Sequence, residues 1–330
     1  MPLTTHEVAA RAVQARARIR SHIYETPMIP ARSVGKSTGA SVLFKAENYQ
    51  LTGSFKLRGA TSKLSAAAGS ERLITASSGN HGIGSAHAAK SLNRNVTVVL
   101  PETVPEAKLT KIRSYGVEVI LHGGETGLAE QHAQTLAASG AYTYISPYND
   151  IDIVAGQGTI GLEILEQCAD AETLNVFIAM GGGGLISGIG SVIKSFRPSA
   201  KIFGVSATNS MALAASMVAG RVVETEHKAT LAEAVAGGID EDTITLELAT
   251  AVVDEAIECD EGEIAAALKR MVLEENMFVE GAAALALAGY DKVAERLKGQ
   301  TSVIVLCGGN VDPGVVRDIV WAQIRGGGDD

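Results

Sequence analysis

Large rings are scarce in this chain. Phe, Trp and Tyr make up 4 % of 330 residues, with a single tryptophan. A core without them relies on alanine and glycine, which suits closely packed helices and tight turns. Positive charge is also short: 28 Lys and Arg stand against 37 Asp and Glu, a net charge of −9. That excludes nucleic acid as a partner, because phosphate-backbone binding needs a basic face. It does not exclude one small anionic ligand, which a few amides and a lysine can hold inside an acidic protein. The three cysteines, Cys168, Cys259 and Cys307, are too few and odd in number for a disulfide framework. They suit a reducing compartment, and a cytoplasmic location is expected. There is no run of about 18 apolar residues, so no membrane span is expected. The first 20 residues read as an amphipathic helix of mixed charge without an apolar signal core. Internal repeats and Pro/Ser-rich linkers are missing too.

What is present is enough apolar material, 46 % against 20 % charged, for two lobes or one large α/β unit. Short β-rich runs at 42–45, 73–76, 96–100, 117–121, 142–145, 175–180, 201–205 and 302–306 alternate with helical patterns. The helical spacing is clearest at 81–90, 105–114 and 158–168, with Pro105 as a first helical residue. The tail at 326–330 reads as frayed. Strands alternating with helices predict α/β architecture with parallel sheets covered on both faces. The strands from about 73 to 145 form a small sheet inserted into a larger one in this reading.

Four turns follow strands, where open α/β sheets gather ligands. Gly181, Gly182, Gly183 and Gly184 open a helix and leave successive N–H groups bare for an anion such as phosphate. A tight strand–helix turn needs fewer glycines. A dinucleotide turn is the rival, but Ile186 and Ser187 stand where G-x-G-x-x-G requires its last glycine. Thr52-Gly53-Ser54-Phe55-Lys56-Leu57-Arg58-Gly59 sets a lysine among small residues before a helix. A buried lysine has a lowered pKa and forms Schiff bases, although a lone lysine is more often a surface residue. Ser77-Ser78-Gly79-Asn80-His81-Gly82 offers hydroxyls, an amide and a helix start to a carboxylate. His81 alone reads equally well as a helix-start residue facing solvent. Cys307-Gly308-Gly309-Asn310 closes the set, and by its own context Cys307 is a plain buried thiol.

Together these turns carry a resemblance. The stretch Glu47-Asn48-Tyr49-Gln50-Leu51-Thr52-Gly53-Ser54-Phe55-Lys56-Leu57-Arg58-Gly59-Ala60 resembles the lysine motif of the serine/threonine dehydratase and serine racemase family, fold type II of the pyridoxal-phosphate (PLP) enzymes. The 77–82 loop, Ala155-Gly156-Gln157-Gly158-Thr159, the tetraglycine turn, Val279-Glu280-Gly281-Ala282 and the 307–310 turn follow in that family's order. The resemblance implies two open, mostly parallel sheets flanked by helices (a tryptophan synthase β-like PLP fold), with a small domain inserted in a large one. Residues 1–71 and 147–330 would form the large PLP-binding domain and 72–146 a small, mobile, substrate-side domain.

The resemblance also implies roles. Lys56 would carry PLP on its amine and act as catalytic base. Phe55 would pack on the ring, Asn80 would bond the ring oxygen, and Cys307 would face the ring nitrogen. The amides of Gly181, Gly182, Gly183, Gly184 and Leu185 would hold the phosphate. Ser77, Ser78, Asn80 and His81 would receive the substrate carboxylate. The implied reaction is loss of water and ammonia from a small β-hydroxy amino acid such as L-threonine or L-serine. Ser78, where dehydratases often have alanine, leaves a second catalytic base and racemase activity open. No metal site is expected, since Ser206 and Ala212 occupy the cation positions of serine racemase. Ala234 replaces a family glycine near the ring. The absence of Arg and Lys over 121–140 favours a neutral side chain over hydroxyaspartate; phenylserine-type substrates stay open. A β-replacement synthase and a colourless nucleotide-binding protein are the remaining rivals. A homodimer is implied by the resemblance alone.

Overall fold

The computed structural model describes residues 3–69 and 71–321; the tail at 326–330 lies outside the described residues. Among the described residues are ten strands: β1 (Met28–Pro30), β2 (Ser41–Lys45), β3 (Leu73–Ala76), β4 (Val96–Leu100), β5 (Glu118–Leu121), β6 (Thr143–Tyr144), β7 (Asn175–Ala179), β8 (Lys201–Ala207), β9 (Glu255–Cys259) and β10 (Thr301–Val305). They form a six-stranded sheet in the order β1-β2-β10-β7-β8-β9 and a four-stranded sheet in the order β5-β4-β3-β6. Every pairing is parallel except β1 with β2. The four-stranded sheet is one continuous stretch of chain entered after β2 and left before β7. The expected architecture of two mostly parallel sheets, one inserted in the other, is therefore present.

Among the helices that bear on the site are α1 (Thr5–Ile19), α2 (Lys56–Ala66), α3 (Asn80–Leu92), α4 (Glu106–Arg113), α5 (Thr126–Ala138), α6 (Ile151–Gln167) and α7 (Gly184–Phe196). Helix α6 begins well before the expected 158, because Asp150 caps it: its carboxylate accepts the N–H groups of Asp152 and Ile153 at 2.8 and 3.1 Å. Pro105 lies just outside α4 rather than in its first turn. Its ψ of 135° is extended, and its carbonyl accepts from the amides of Lys108 and Leu109.

Strand β4 shows why the small sheet needs two covers. Val98 and Leu100 are buried with Leu57, Ile83 and Ile112 on one face, while Val99 is buried with Ala129 and Ala133 of α5 on the other. A strand apolar on both sides is the mark of a covered parallel sheet. The shortage of rings is answered where α1, α6 and α7 meet, with Ala9, Ala12, Leu162 and Val192 forming the seam.

A fully buried charge cluster lies behind the lysine loop. Arg58 donates to Glu47 at 2.8 and 2.9 Å and to Glu163 at 2.6 and 2.8 Å. Lys45 donates to Glu163 at 2.6 Å and to the Thr26 carbonyl at 2.7 Å. The four side chains are at most 5 % exposed. Burial alone would lower the Arg58 pKa, but Glu47 and Glu163 outweigh it and raise it. The cluster pins β2, α2 and α6 together two residues from Lys56.

Candidate active site

The four turns converge on one cavity of about 450 Å³. Phe55, Lys56, Ser77, Ser78, Asn80, His81, Gly181, Gly182, Gly183, Gly184, Leu185 and Cys307 all line it. Residues scattered over more than 250 positions of sequence thus meet where the C-terminal ends of β3, β7 and β10 face the start of α2.

Lys56 is the first residue of α2. Its Nζ donates to the carbonyl of Pro147 at 2.8 Å and stands 5.2 Å from the centre of the Phe55 ring. Burial pushes its pKa down to about 8; the nearby Cys307 and Glu280 only partly offset this. A substantial share of this amine is neutral near pH 8, as a nucleophile or base must be. The lysine is not a solvent-facing one.

Gly183 precedes α7 with φ of +86°, a left-handed conformation, and an added Cβ would come within 2.8 Å of Thr245. The turn thus aims bare amides at the cavity from a helix N-terminus, where the dipole favours an anion. The 77–81 loop makes a second such end at the start of α3. Ser77 Oγ accepts the Gly79 amide at 3.2 Å, which holds the loop in shape.

His81 overturns the solvent-facing reading. It is 3 % exposed, its Nε2 lies 3.2 Å from the Ile145 carbonyl, and burial, then the charge of Lys56, pushes its pKa down to about 3. Its imidazole is neutral and donates inward, so this residue offers an incoming carboxylate its backbone rather than a cation.

Cys307 is 2 % exposed, and burial, reinforced by Glu280, raises its pKa well above that of an ordinary thiol. It remains a thiol. Beside it lies a cluster in which sequence reading gave a role to Asn80 but none to Glu280 or Asn310: Glu280 accepts from Asn80, and Asn80 Oδ1 accepts from Asn310 at 2.7 Å. The available signal was Glu280 itself, a lone charge in the run Met277-Phe278-Val279-Glu280-Gly281-Ala282.

The rim adds residues that the sequence did not reveal. Lys108 of α4 and Glu130 of α5 line the cavity, and Tyr144 donates to Glu130 at 2.9 Å. The absence of Arg and Lys over 121–140 therefore does not leave the cavity without a cation, because α4 supplies one. Ala234 also lines the wall, on the short helical turn Glu233–Val235.

Comparison with known proteins agrees with this geometry. The profile of a family described as "Pyridoxal-phosphate dependent enzyme" matches residues 19–308. The L-threonine dehydratase catabolic TdcB of Staphylococcus aureus is 37 % identical over 317 residues, spanning 94 % of this chain and 91 % of its own. Among solved structures, threonine deaminase isoform 2 from Solanum lycopersicum superposes with a TM-score of 0.89 at 29 % identity, covering 98 % of this chain and 96 % of that one. Maize serine racemase gives 0.85 at 27 % identity, covering 96 % and 98 %. With its two sheets, its converging turns and a family match over most of its length, this chain belongs to the pyridoxal-phosphate dependent enzymes of fold type II, in the company of threonine dehydratases and serine racemases.

Proposed function

We propose that this enzyme eliminates water and then ammonia from a small β-hydroxy amino acid such as L-threonine or L-serine, leaving a 2-oxo acid, with Lys56 carrying pyridoxal phosphate. The observation that carries the reading is the Lys56 amine, its pKa lowered by burial to about 8, at the wall of the same cavity that the tetraglycine turn enters. The cavity's residues fit the cofactor: an amine for its aldehyde, bare amides at a helix end for its phosphate, and a ring-sized space bounded by Phe55, Asn80 and Cys307.

When bound, pyridoxal phosphate supplies the electron sink that loosens bonds at the α-carbon. The chain's residues do the rest. The amides of Gly181, Gly182, Gly183, Gly184 and Leu185 hold the phosphate. Phe55 would pack on the ring, and Asn80 would donate an N–H to the ring oxygen. Ser77, Ser78, Asn80 and His81 hold the substrate carboxylate at the start of α3, His81 through its backbone. Lys56 Nζ would hold the cofactor and would also take the proton from the substrate α-carbon. The Cys307 thiol, on the cavity wall, would serve the ring nitrogen. A neutral thiol does not keep that nitrogen protonated as a carboxylate would, which moderates the sink and suits elimination. The released enamine hydrolyses to the 2-oxo acid and ammonia. Residues 1–71 and 147–330 serve as the cofactor domain in this reading. Residues 72–146 serve as the small, mobile substrate-side domain whose closure excludes water.

The cytoplasm and a homodimer complete the proposal. Three free, buried cysteines support the first. Exposed Tyr24, Tyr49, Leu51 and Phe278 support the second, which light scattering checks. No helix among the described residues is long and apolar enough to cross a membrane.

One expected result follows from the lysine. The apoenzyme should take up pyridoxal phosphate at a rate that rises with pH to a midpoint near 8, where an exposed lysine would need about 10.4. Stopped-flow absorbance measures it, and a midpoint above 10 would mean that the amine is solvated.

The reaction itself is tested with L- and D-serine, both threonine diastereomers, 3-hydroxyaspartate and phenylserine, scored for 2-oxo acid and for inversion. L-threonine and L-serine should give 2-oxo acid. Ser78 on the cavity wall favours a racemase as the second reading, and inversion of serine faster than pyruvate formation would select it. Lys108 at the rim is why hydroxyaspartate belongs in the panel.

A further inference from the structure

Glu280 has no structural employment where it sits. It occupies the N-cap position of the helix Gly281–Val293, yet its side chain makes no cap hydrogen bond. It is 7 % exposed and turns into the cavity instead. There its two oxygens stand side by side against Asn80, with Nδ2 at 3.1 Å from Oε1 and 2.9 Å from Oε2. The Asn310 backbone N–H donates to it as well, and Cys307 Sγ lies 3.9 Å from Oε1. Room for it exists only because residue 308 is glycine: a Cβ there would lie 2.6 Å from the carboxyl carbon. Burial raises the Glu280 pKa, but every polar neighbour is a donor, and these donors with the charge of Lys56 work against burial, as suits a carboxylate, a group that only accepts when ionised.

The other end of Asn80 is fixed too. Asn310 Nδ2 donates to Asn80 Oδ1 at 2.7 Å and to the Thr52 carbonyl at 2.9 Å. The Asn80 amide therefore has one orientation, with Oδ1 to Asn310 and Nδ2 to Glu280. One Nδ2 hydrogen serves the carboxylate, and the second is left for the cavity.

We propose that Glu280 is a positioning residue for the cofactor: it holds Asn80 with its amide nitrogen inward and places a buried negative charge beside Lys56 and Cys307. The inference rests on the reading that Lys56 and Asn80 hold pyridoxal phosphate. A glutamine at this position would set an NH₂ group against donors on three sides. It would turn the Asn80 amide over or leave a donor unpaired. It would also remove the charge that favours protonated nitrogen nearby. The charged and titratable groups that face it are Lys56 of α2 and Cys307 after β10.

The test uses the holoenzyme and two readouts that do not depend on turnover. These are the dissociation constant of pyridoxal phosphate and the pH midpoint of the visible band of the lysine-bound cofactor. Glu280→Gln should weaken cofactor binding about tenfold and move the band's midpoint down by about one pH unit. In an Asn80→Ala background the same change should weaken binding by less than about twofold, since the two residues act as one unit. Asn310→Ala, at an exposed residue, should weaken binding about threefold in the same direction. Unchanged binding and midpoint in Glu280→Gln would overturn the proposal. So would effects of Glu280→Gln and Asn80→Ala that simply multiply. If Glu280→Gln does not fold, Asn310→Ala decides, and no change there overturns the proposal. A wild-type protein that takes up no pyridoxal phosphate would instead defeat the Lys56 reading.

Discussion

Lys56→Ala should give a colourless protein whose turnover falls by on the order of 10⁴-fold or more, because the proposed mechanism makes one amine both the covalent anchor and the base at the α-carbon. The loss should not come from unfolding. The side chain's recorded hydrogen bond goes to the Pro147 carbonyl, and burial opposes its charge. The sign can be followed. The folded-state pKa is about 8 and the unfolded one about 10.4. Between those values the unfolded chain binds the extra proton, so stability rises with pH there, and below them the penalty is constant. Removing the amine from the apoenzyme therefore removes a cost, and its melting temperature should hold or rise. Lys56→Arg separates charge from chemistry: it keeps a cation but forms no imine with an aldehyde. Full activity in Lys56→Ala would show the assignment of the base to be mistaken.

Arg58→Ala should destabilise the apoenzyme by about 3–5 kcal/mol, the usual result of leaving a buried charge without its partner. Here two carboxylates lose it, Glu47 and Glu163, within 5 % exposure. The shift in urea midpoint measures the effect. Removing an exposed cation such as Arg11, paired with Glu7 on the surface of α1, should leave the midpoint in place. The pH dependence has a definite sign. Burial raises the Glu163 pKa, but Arg58 and Lys45 outweigh it and hold it below the ordinary carboxylate value. Such a group contributes stability above its unfolded pKa and loses it as pH falls through the folded one. Without Arg58 the Glu163 carboxylate loses part of what holds its pKa down, so the variant's deficit should shrink as pH drops below about 5. A deficit that grows in acid would mean that the cluster is not what holds this region.

The sequence showed β2 to β8 and β10, and their ends are within two residues of expectation. It did not show β1 and β9. β1 is three residues ending in Pro30, and β9, Glu-Ala-Ile-Glu-Cys, carries charge on its outward face. Both are edge strands, which are short or charged because one side has no partner strand. The lysine, glycine, asparagine and cysteine turns were legible because bare amides and a buried amine need particular residue types at fixed places. Arg58 was not. In Ser54-Phe55-Lys56-Leu57-Arg58-Gly59 an arginine looks solvated, and only the arrival of Glu163 from a hundred residues away makes it a core residue. Lys108 escaped for a related reason, since it reaches the cavity from α4, a helix with no turn motif of its own.

The inserted sheet leaves and rejoins the larger body through two leashes, one between α2 and β3 and one between β6 and α6. Pro147, which takes the hydrogen bond of the Lys56 amine, rides on the second leash. If the inserted sheet swings as proposed, it pulls directly on the hydrogen-bond partner of Lys56, so opening the cleft would also loosen the hold on that amine.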